Sequence, residues 1–205
     1  MIGPSAGSRR LACLAMTTTL LGCANLASEF RGPAPAPLPP ALVVLPTPPG
    51  YPGELAAMQS IRAAHAEGSD DFEAYLQVGP ERVAIVLTLP FGPRIAAIDW
   101  SAAGIETRHE RDLPPALQPL AERFWPANVL ADIVMAFWPE AAVRASLAPD
   151  VALDVEPGTR HFSYRDRAAV TVRYSGGDPW ATETTVIHHL LGYRLAITSC
   201  RLPGA

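Results

Sequence analysis

The feature that most constrains the fold is a series of strand-length segments joined by short turns, on both sides of a helical middle. In 72–78, Phe72, Ala74, Leu76 and Val78 alternate with polar or aromatic neighbours, as in a strand with one buried face. Segments that are typical of strands occupy 58–66, 72–78, 83–89, 94–100, 104–108, 151–155, 160–164, 168–174, 183–190 and 193–200. The first of them, 58–66, could instead form a short helix. The hairpin-length turns predict an antiparallel meander.

The middle of the chain predicts helices. Val129, Leu130, Ile133, Val134 and Phe137 recur at helical spacing, an arrangement that leaves Asn128, Asp132 and Ala136 facing outward. A second short helix is expected at 141–147 and a third at 117–125. Strands, then helices, then strands indicate an α+β fold, a mainly antiparallel curved sheet lidded by two or three helices inserted mid-chain. Such a fold encloses either a solid core or a cavity, and the pattern alone does not separate the two.

The first 22 residues have the pattern of an export signal. Arg9 and Arg10 precede an uncharged, mostly apolar run, Leu11–Leu21, that is too short to span a bilayer. The run closes on Leu20-Leu21-Gly22-Cys23, which resembles the lipobox of bacterial lipoproteins. The resemblance implies cleavage before Cys23 and acyl chains on that residue, hence a membrane anchor. The alternative is an ordinary signal peptide, or a buried helix, with an incidental cysteine.

Residues 23–53 predict a lipidated cysteine followed by a tether. Prolines crowd the segment from Arg31 to Pro52, which favours an extended polyproline conformation. The apolar patch Leu42–Leu45 could instead dock on the folded domain, which is expected from residue 54 to residue 205. In enterobacterial lipoproteins, an aspartate after the lipidated cysteine commonly retains the protein in the inner membrane. Residue 24 is alanine here, so the resemblance implies the outer membrane, facing the periplasm.

Composition and motifs exclude several classes of function. The formal net charge is −4 and no residue is lysine, so there is no basic cluster to bind nucleic acid. The signal removes Cys13 and lipidation uses Cys23, which leaves Cys200 as a buried apolar filler without a disulfide partner. No nucleophile elbow, phosphate loop or zinc motif is present. His188 and His189 would point to opposite faces of a strand. We therefore expect no catalytic activity, no metal and no cofactor.

Several short stretches resemble a family of uncharacterised lipoproteins, domain of unknown function 3261. They are the segments 125–132 and 136–139, the Gly192–Leu195 strand and the Leu89–Ile95 turn. The resemblance implies an incomplete barrel like those of LolB and LolA, with helices over a hydrophobic cavity. It also implies a LolA-like periplasmic carrier and a lipid exporter as partners. In LolB-like proteins the turn between the third and fourth strands projects an apolar residue into the membrane, and Phe91 occupies that turn here. The alternative is that Phe91 folds back on the sheet.

These features predict a binding module held at a membrane. The candidate cavity residues are large and apolar and lie in or next to the helical segment: Trp125, Val129, Leu130, Ile133, Val134, Phe137 and Trp138. As a cavity wall they would bind a hydrophobic ligand, such as a lipid, a lipoprotein acyl chain or an aryl polyene. As core packing they need no ligand. The alternative function is accordingly a non-catalytic structural or assembly lipoprotein that acts through protein contacts.

Overall fold

The predicted strands all form, and they join a single antiparallel sheet. The computed structural model of the chain describes residues 41–111, 113–118 and 126–203. The export signal, Cys23 and most of the predicted tether lie outside these residues. The strands are β1 (Leu55–His65), β2 (Gly68–Val78), β3 (Arg82–Thr88), β4 (Arg94–Ser101), β5 (Gly104–His109), β6 (Val151–Glu156), β7 (Thr159–Tyr164), β8 (Arg167–Tyr174), β9 (Glu183–His188) and β10 (Tyr193–Arg201).

The sheet is an open, curved meander with its first and last strands paired in the middle. Its strand order is β5-β4-β3-β2-β1-β10-β9-β8-β7-β6, so β5 and β6 form the two edges and the barrel is incomplete. The register shifts at Leu87/Thr88 and at Phe162/Ser163, and such irregularities bend strands and increase twist. The predicted α+β class and incomplete barrel are confirmed.

In the described part of the chain, two α-helices follow the first half of the sheet. Helix α1 spans Pro126–Phe137 and helix α2 spans Glu140–Ala145, and a short 3-10 turn precedes them at Pro115–Leu117. Pro126 is the first residue of α1 and Pro139 is the N-cap of α2; proline suits both positions because the N–H that it lacks would have no partner within the helix. Most of the helix expected at 117–125 lies outside the described residues. Among the residues that the structure describes, no helix has the length and apolar character needed to cross a membrane.

Helix α1 is enclosed by the sheet, and its predicted polar face is not outward. Asp132 is only 7% exposed and Ala136 is fully buried, so the expectation that both face outward is wrong. The phenol of Tyr174 donates to the carbonyl of Ala136 at 2.7 Å, and Arg160 donates to that of Met135 at 2.8 Å. The helix thus ends inside the curved sheet, where side chains from the strands satisfy its last carbonyls.

A proline-rich segment, Leu42–Tyr51, packs against the domain, and we call it the strap. Leu42 and Val43 join the core, and Val43 forms a β-bridge with Leu147. The packed chain therefore begins before the predicted boundary at residue 54, as the docking alternative for Leu42–Leu45 allowed.

Three buried tryptophans hold the strap by their indole N–H groups. Trp100 donates to the carbonyl of Pro46 at 2.9 Å and Trp138 donates to that of Pro49 at 3.2 Å. Trp180 donates to the hydroxyl of Tyr51 at 3.1 Å. Each buried indole thereby gains the hydrogen-bond partner that burial requires.

Candidate functional site

An apolar cavity of about 540 Å³ lies between helix α1 and the concave face of the sheet. Side chains of β1, β2, β3 and β10 form its wall, and the β9–β10 turn contributes at one end. Because successive strand residues point to opposite faces, alternate residues of β1 and β2 enter the cavity. Its apolar lining includes Ile61, Phe72, Ile85, Val129, Ile133 and Ile197. A size of 300–1,000 Å³, with a mostly apolar wall and few polar groups, is typical of ligand sites.

The structure divides the predicted cavity residues between the cavity and the core. Val129, Ile133 and Phe137 lie at four-residue spacing on α1, and all three line the cavity. The remaining described candidates, Leu130, Val134 and Trp138, are buried in the hydrophobic core and do not line it. Trp125 lies outside the described residues. Helical spacing identified the apolar faces of α1, but only the packing decides which stripe meets open space. A ligand-binding role for these residues stays a prediction.

A buried acid, Asp132, lies in the cavity wall on α1. The phenol of Tyr193, in the first position of β10, donates to its Oδ2 at 2.5 Å. Burial raises the pKa of Asp132 to about 7, and the Tyr193 hydrogen bond opposes this shift. Burial and the neighbouring carboxylate raise the pKa of Tyr193, so its hydroxyl stays protonated and donates. This bond joins the helix to the sheet across one side of the cavity.

His188 lies behind Tyr193, with the two ring centroids 5.0 Å apart. Its Nδ1 accepts a hydrogen bond from the backbone N–H of Leu191 at 3.1 Å. Burial, aided by neighbouring His189, lowers the pKa of His188 to about 4, so the ring is neutral at physiological pH. His189 is exposed in the turn and contacts Thr171. The described residues hold no group of three or more side chains suited to a metal ion.

A second buried polar side chain in the cavity wall, Gln59, is one that the sequence analysis missed. Gln59 is 1% exposed and points inward from β1 between Ala57 and Ile61. Its Nε2 donates to Ser199 Oγ on the neighbouring strand β10 at 3.2 Å. The sequence did contain a sign of this site, because Gln59 is a polar residue at a position of β1 where the alternating pattern places an inward side chain.

The mouth of the cavity is polar. His65, Glu67 and Asp70, from the β1–β2 hairpin, line it together with Asn128 at the start of α1. His65 Nε2 lies 3.1 Å from Asp70 Oδ2. The exposed Leu191 and Gly192 of the β9–β10 turn complete the mouth. The cavity therefore opens where these two hairpins meet the helix.

Phe91 projects fully into solvent at the turn between β3 and β4. Its side chain is 104% exposed and its φ is 54°, a left-handed value that is rare for a bulky residue. The turn closes through a hydrogen bond from the N–H of Gly92 to the carbonyl of Leu89 at 3.0 Å. The alternative that Phe91 folds back on the sheet is wrong. Since adjacent strands are antiparallel, this turn lies at the same end of the sheet as the β1–β2 hairpin.

Cys200 is exposed near the end of β10, so the prediction of a buried filler is wrong. It pairs across the sheet with Met58, which is itself 38% exposed on the outer face. Strand alternation explains the error, because Ser199, and not Cys200, takes the inward position at this point of β10.

The comparisons with known proteins found one family and a distant structural likeness. A family model described as a protein of unknown function (DUF3261) matches residues 56–201. Among solved structures, the chain is similar to the crystal structure of a LolA superfamily protein from Nitrosomonas europaea, with 13% sequence identity and a TM-score of 0.43. This match covers 72% of the present chain and 84% of the other. Comparison with the curated proteins gives no match.

Proposed function

The chain belongs to the DUF3261 family of proteins of unknown function, and we propose that it is a non-catalytic lipoprotein that binds a hydrophobic ligand in the cavity beneath helix α1. The ligand class is a lipid, a lipoprotein acyl chain or an aryl polyene. The observation that carries the proposal is the apolar cavity of about 540 Å³. Apolar surface on a protein and on a ligand associate because both leave water.

The distribution of polar groups supports binding of an extended apolar chain. Apart from Gln59 and Asp132, the inner wall is made of aliphatic and aromatic side chains, whereas His65, Glu67, Asp70 and Asn128 gather at the mouth. A ligand with a long apolar part would bury that part and leave a polar group near the mouth. Neither metal nor cofactor is needed for this process, since binding and release follow affinity alone.

The proposed location is the periplasmic face of the outer membrane, with acyl chains on Cys23 as the anchor. The motif around Cys23 and the alanine at position 24 support this location. The sequence resemblance to LolB-like lipoproteins supports a route in which a LolA-like carrier, loaded by a lipid exporter, delivers the ligand. Phe91, exposed at the same end of the sheet as the mouth, would contact the membrane surface there.

Ligand binding is tested with a chain of residues 24–205, which keeps every described residue of the core, Leu42 to Ile197. Native mass spectrometry would detect a co-purified ligand, and a fluorescent fatty acid would report occupancy by its change in emission. Two adjacent alanines supply matched variants. Ala63 lines the cavity, whereas Ala64 points to the outer face. Ala63→Phe is expected to lower probe affinity at least about tenfold, and Ala64→Phe to leave it unchanged.

Failure of both measurements would contradict the binding proposal. A folded domain that carries no ligand and does not bind the fluorescent fatty acid would favour the alternative of an assembly lipoprotein that acts through protein contacts. Anchoring is tested separately with labelled palmitate in cells. Wild type should incorporate the label and Cys23→Ser should not. Label in both of these proteins, or in neither, would contradict lipidation at Cys23.

A further inference from the structure

Gln59 places a carboxamide deep inside the cavity. Its position on β1 fixes the depth, because Gln59, Ile61, Ala63 and His65 are successive inward residues that all line the cavity. His65 lies at the mouth, and a strand rise of about 3.3 Å per residue puts Gln59 roughly 20 Å further along the strand. Gln59 therefore lies at the inner end of the cavity.

Helix α1 gives the same direction independently. Asn128 in its first turn lines the cavity, and so does Phe137 at its end. The Phe137 ring lies 4.4 Å from the ring of Trp180, which follows β8 at the opposite end of the sheet from the β9–β10 turn. The helix thus runs from the mouth towards the inner end, beneath which the strap is bound.

The hydrogen bonds of Gln59 are incomplete. A glutamine side chain offers two N–H donors and a carbonyl acceptor. In the described part of the chain its side chain makes one hydrogen bond, between Nε2 and Ser199 Oγ. Its Oε1 makes no hydrogen bond to a described residue, and the side chain lines the cavity. A polar atom at a cavity wall that has no protein partner is available to bind water or a ligand.

Strand β9, which pairs with β10, carries another buried polar side chain. Thr184 on β9 is 1% exposed, and its Oγ1 has no hydrogen-bond partner among the described residues. Thr184 pairs with Ile197, the inward residue of β10 next to Ser199. Gln59 thus lines the inner end of the cavity, and Ser199 and Thr184 are buried polar side chains on the neighbouring strands β10 and β9.

Resting on the proposed function, we infer that the cavity accepts a chain whose inner end carries a neutral hydrogen-bonding group, a hydroxyl or a carbonyl, that Gln59 binds. A plain alkyl chain would leave the free atom of Gln59 unpaired and would displace any water that had satisfied it. A polar-tipped chain supplies the missing partner. The ligand is thus polar at both ends, with one end at the mouth and the other at Gln59.

The test compares two probes that differ at the inner end alone, hexadecanoic acid and 16-hydroxyhexadecanoic acid. The ionised carboxylate keeps the acid end of both probes in water, because burying an unpaired charge is very unfavourable. Affinities are measured by displacement of a fluorescent fatty acid from residues 24–205. Wild type is compared with Gln59→Met, which keeps the length of the side chain but removes its amide. Gln77→Met is the control, since Gln77 is exposed on the outer face of β2.

The expected result is that wild type and Gln77→Met bind the hydroxy acid at least as tightly as hexadecanoic acid. In Gln59→Met the ratio of the two affinities should shift about tenfold or more towards hexadecanoic acid. Equal ratios in wild type and Gln59→Met, with both acids bound, would overturn the inference and leave the proposed function intact. Binding of neither acid would contradict the proposed function itself. Should Gln59→Met not fold, wild type decides alone: tighter binding of hexadecanoic acid would overturn the inference, and equal or tighter binding of the hydroxy acid would support it.

Discussion

Replacing Asp132 with asparagine should change how stability depends on pH. In the folded protein, burial raises the pKa of this carboxyl from 3.8 to about 7. A group whose folded pKa is raised contributes stability below its unfolded pKa and loses it as pH rises to its folded pKa. The raised pKa therefore makes wild type progressively less stable from about pH 4 to about pH 7. At about 1.4 kcal/mol per unit, the shift corresponds to about 4 kcal/mol.

Asparagine has nearly the same shape and can still accept the hydrogen bond from Tyr193, but it does not ionise. The difference in unfolding free energy between Asp132→Asn and wild type should therefore rise by about 4 kcal/mol in favour of the variant between pH 4 and pH 8. His188 acts in the opposite direction. Its pKa is lowered to about 4, so it withdraws stability as pH falls below about 6.5. Because His188 is present in both proteins, its contribution cancels in the difference.

The assay is urea unfolding followed by tryptophan fluorescence at constant ionic strength, at one-unit steps from pH 4 to pH 8. Asp154→Asn, which removes an exposed carboxylate on β6, controls for the loss of one negative charge. A difference between Asp132→Asn and wild type that stays constant over this range would refute the reasoning. It would mean that the Asp132 carboxyl is solvated or paired in the folded state and that burial does not control it.

Three further results are expected. Phe91→Glu should weaken binding to anionic liposomes several-fold without changing the unfolding temperature. Ile105→Glu, at the start of β5 and the opposite end of the sheet, should leave liposome binding unchanged. Equal binding by wild type and both variants would rule out a membrane contact at Phe91. A chain that begins at residue 53 lacks the strap. Its free energy of unfolding should fall by at least about 3 kcal/mol, because the burial of the Leu42 and Val43 side chains no longer contributes to folding. An unchanged urea midpoint would show that the strap is not part of the core. Cys200 should react with iodoacetamide in the folded protein at a rate close to that of the urea-unfolded chain, because it is exposed; strong protection on folding would contradict its position.

The secondary structure could be predicted from the sequence because it depends on local patterns. Alternation along β2 and the turns on either side of each strand defined an antiparallel meander, and the spacing of Val129, Ile133 and Phe137 defined α1. These patterns depend on which residues are apolar and how far apart they stand, and a single sequence contains both. The prediction failed at Asp132 and Ala136. Helical spacing assumes one buried face, whereas α1 is surrounded by a curved sheet and by the chain that follows it.

The polar groups of the candidate site could not be predicted from the sequence, because they are brought together by contacts between residues that are far apart in the chain. Gln59 and Ser199 are brought together because β1 and β10, near opposite ends of the domain, pair in the middle of the sheet. Likewise, Tyr193 of β10 donates to Asp132 of α1, and the strap accepts hydrogen bonds from three tryptophans in distant segments. No local pattern predicts such partners, because the register of distant strands follows from how all the elements pack together.

The sequence by itself determined the order of the strands and helices, the motif at Cys23 and the apolar character of the segment that covers the sheet. These properties follow from the residue types and their spacing. Only the tertiary structure decided that a cavity exists, which stripe of α1 faces it and which polar groups are buried in its wall. The physical reason is that a cavity is the volume left between packed elements. That volume depends on the curvature of the sheet and on the position of the helix, which the whole chain sets together.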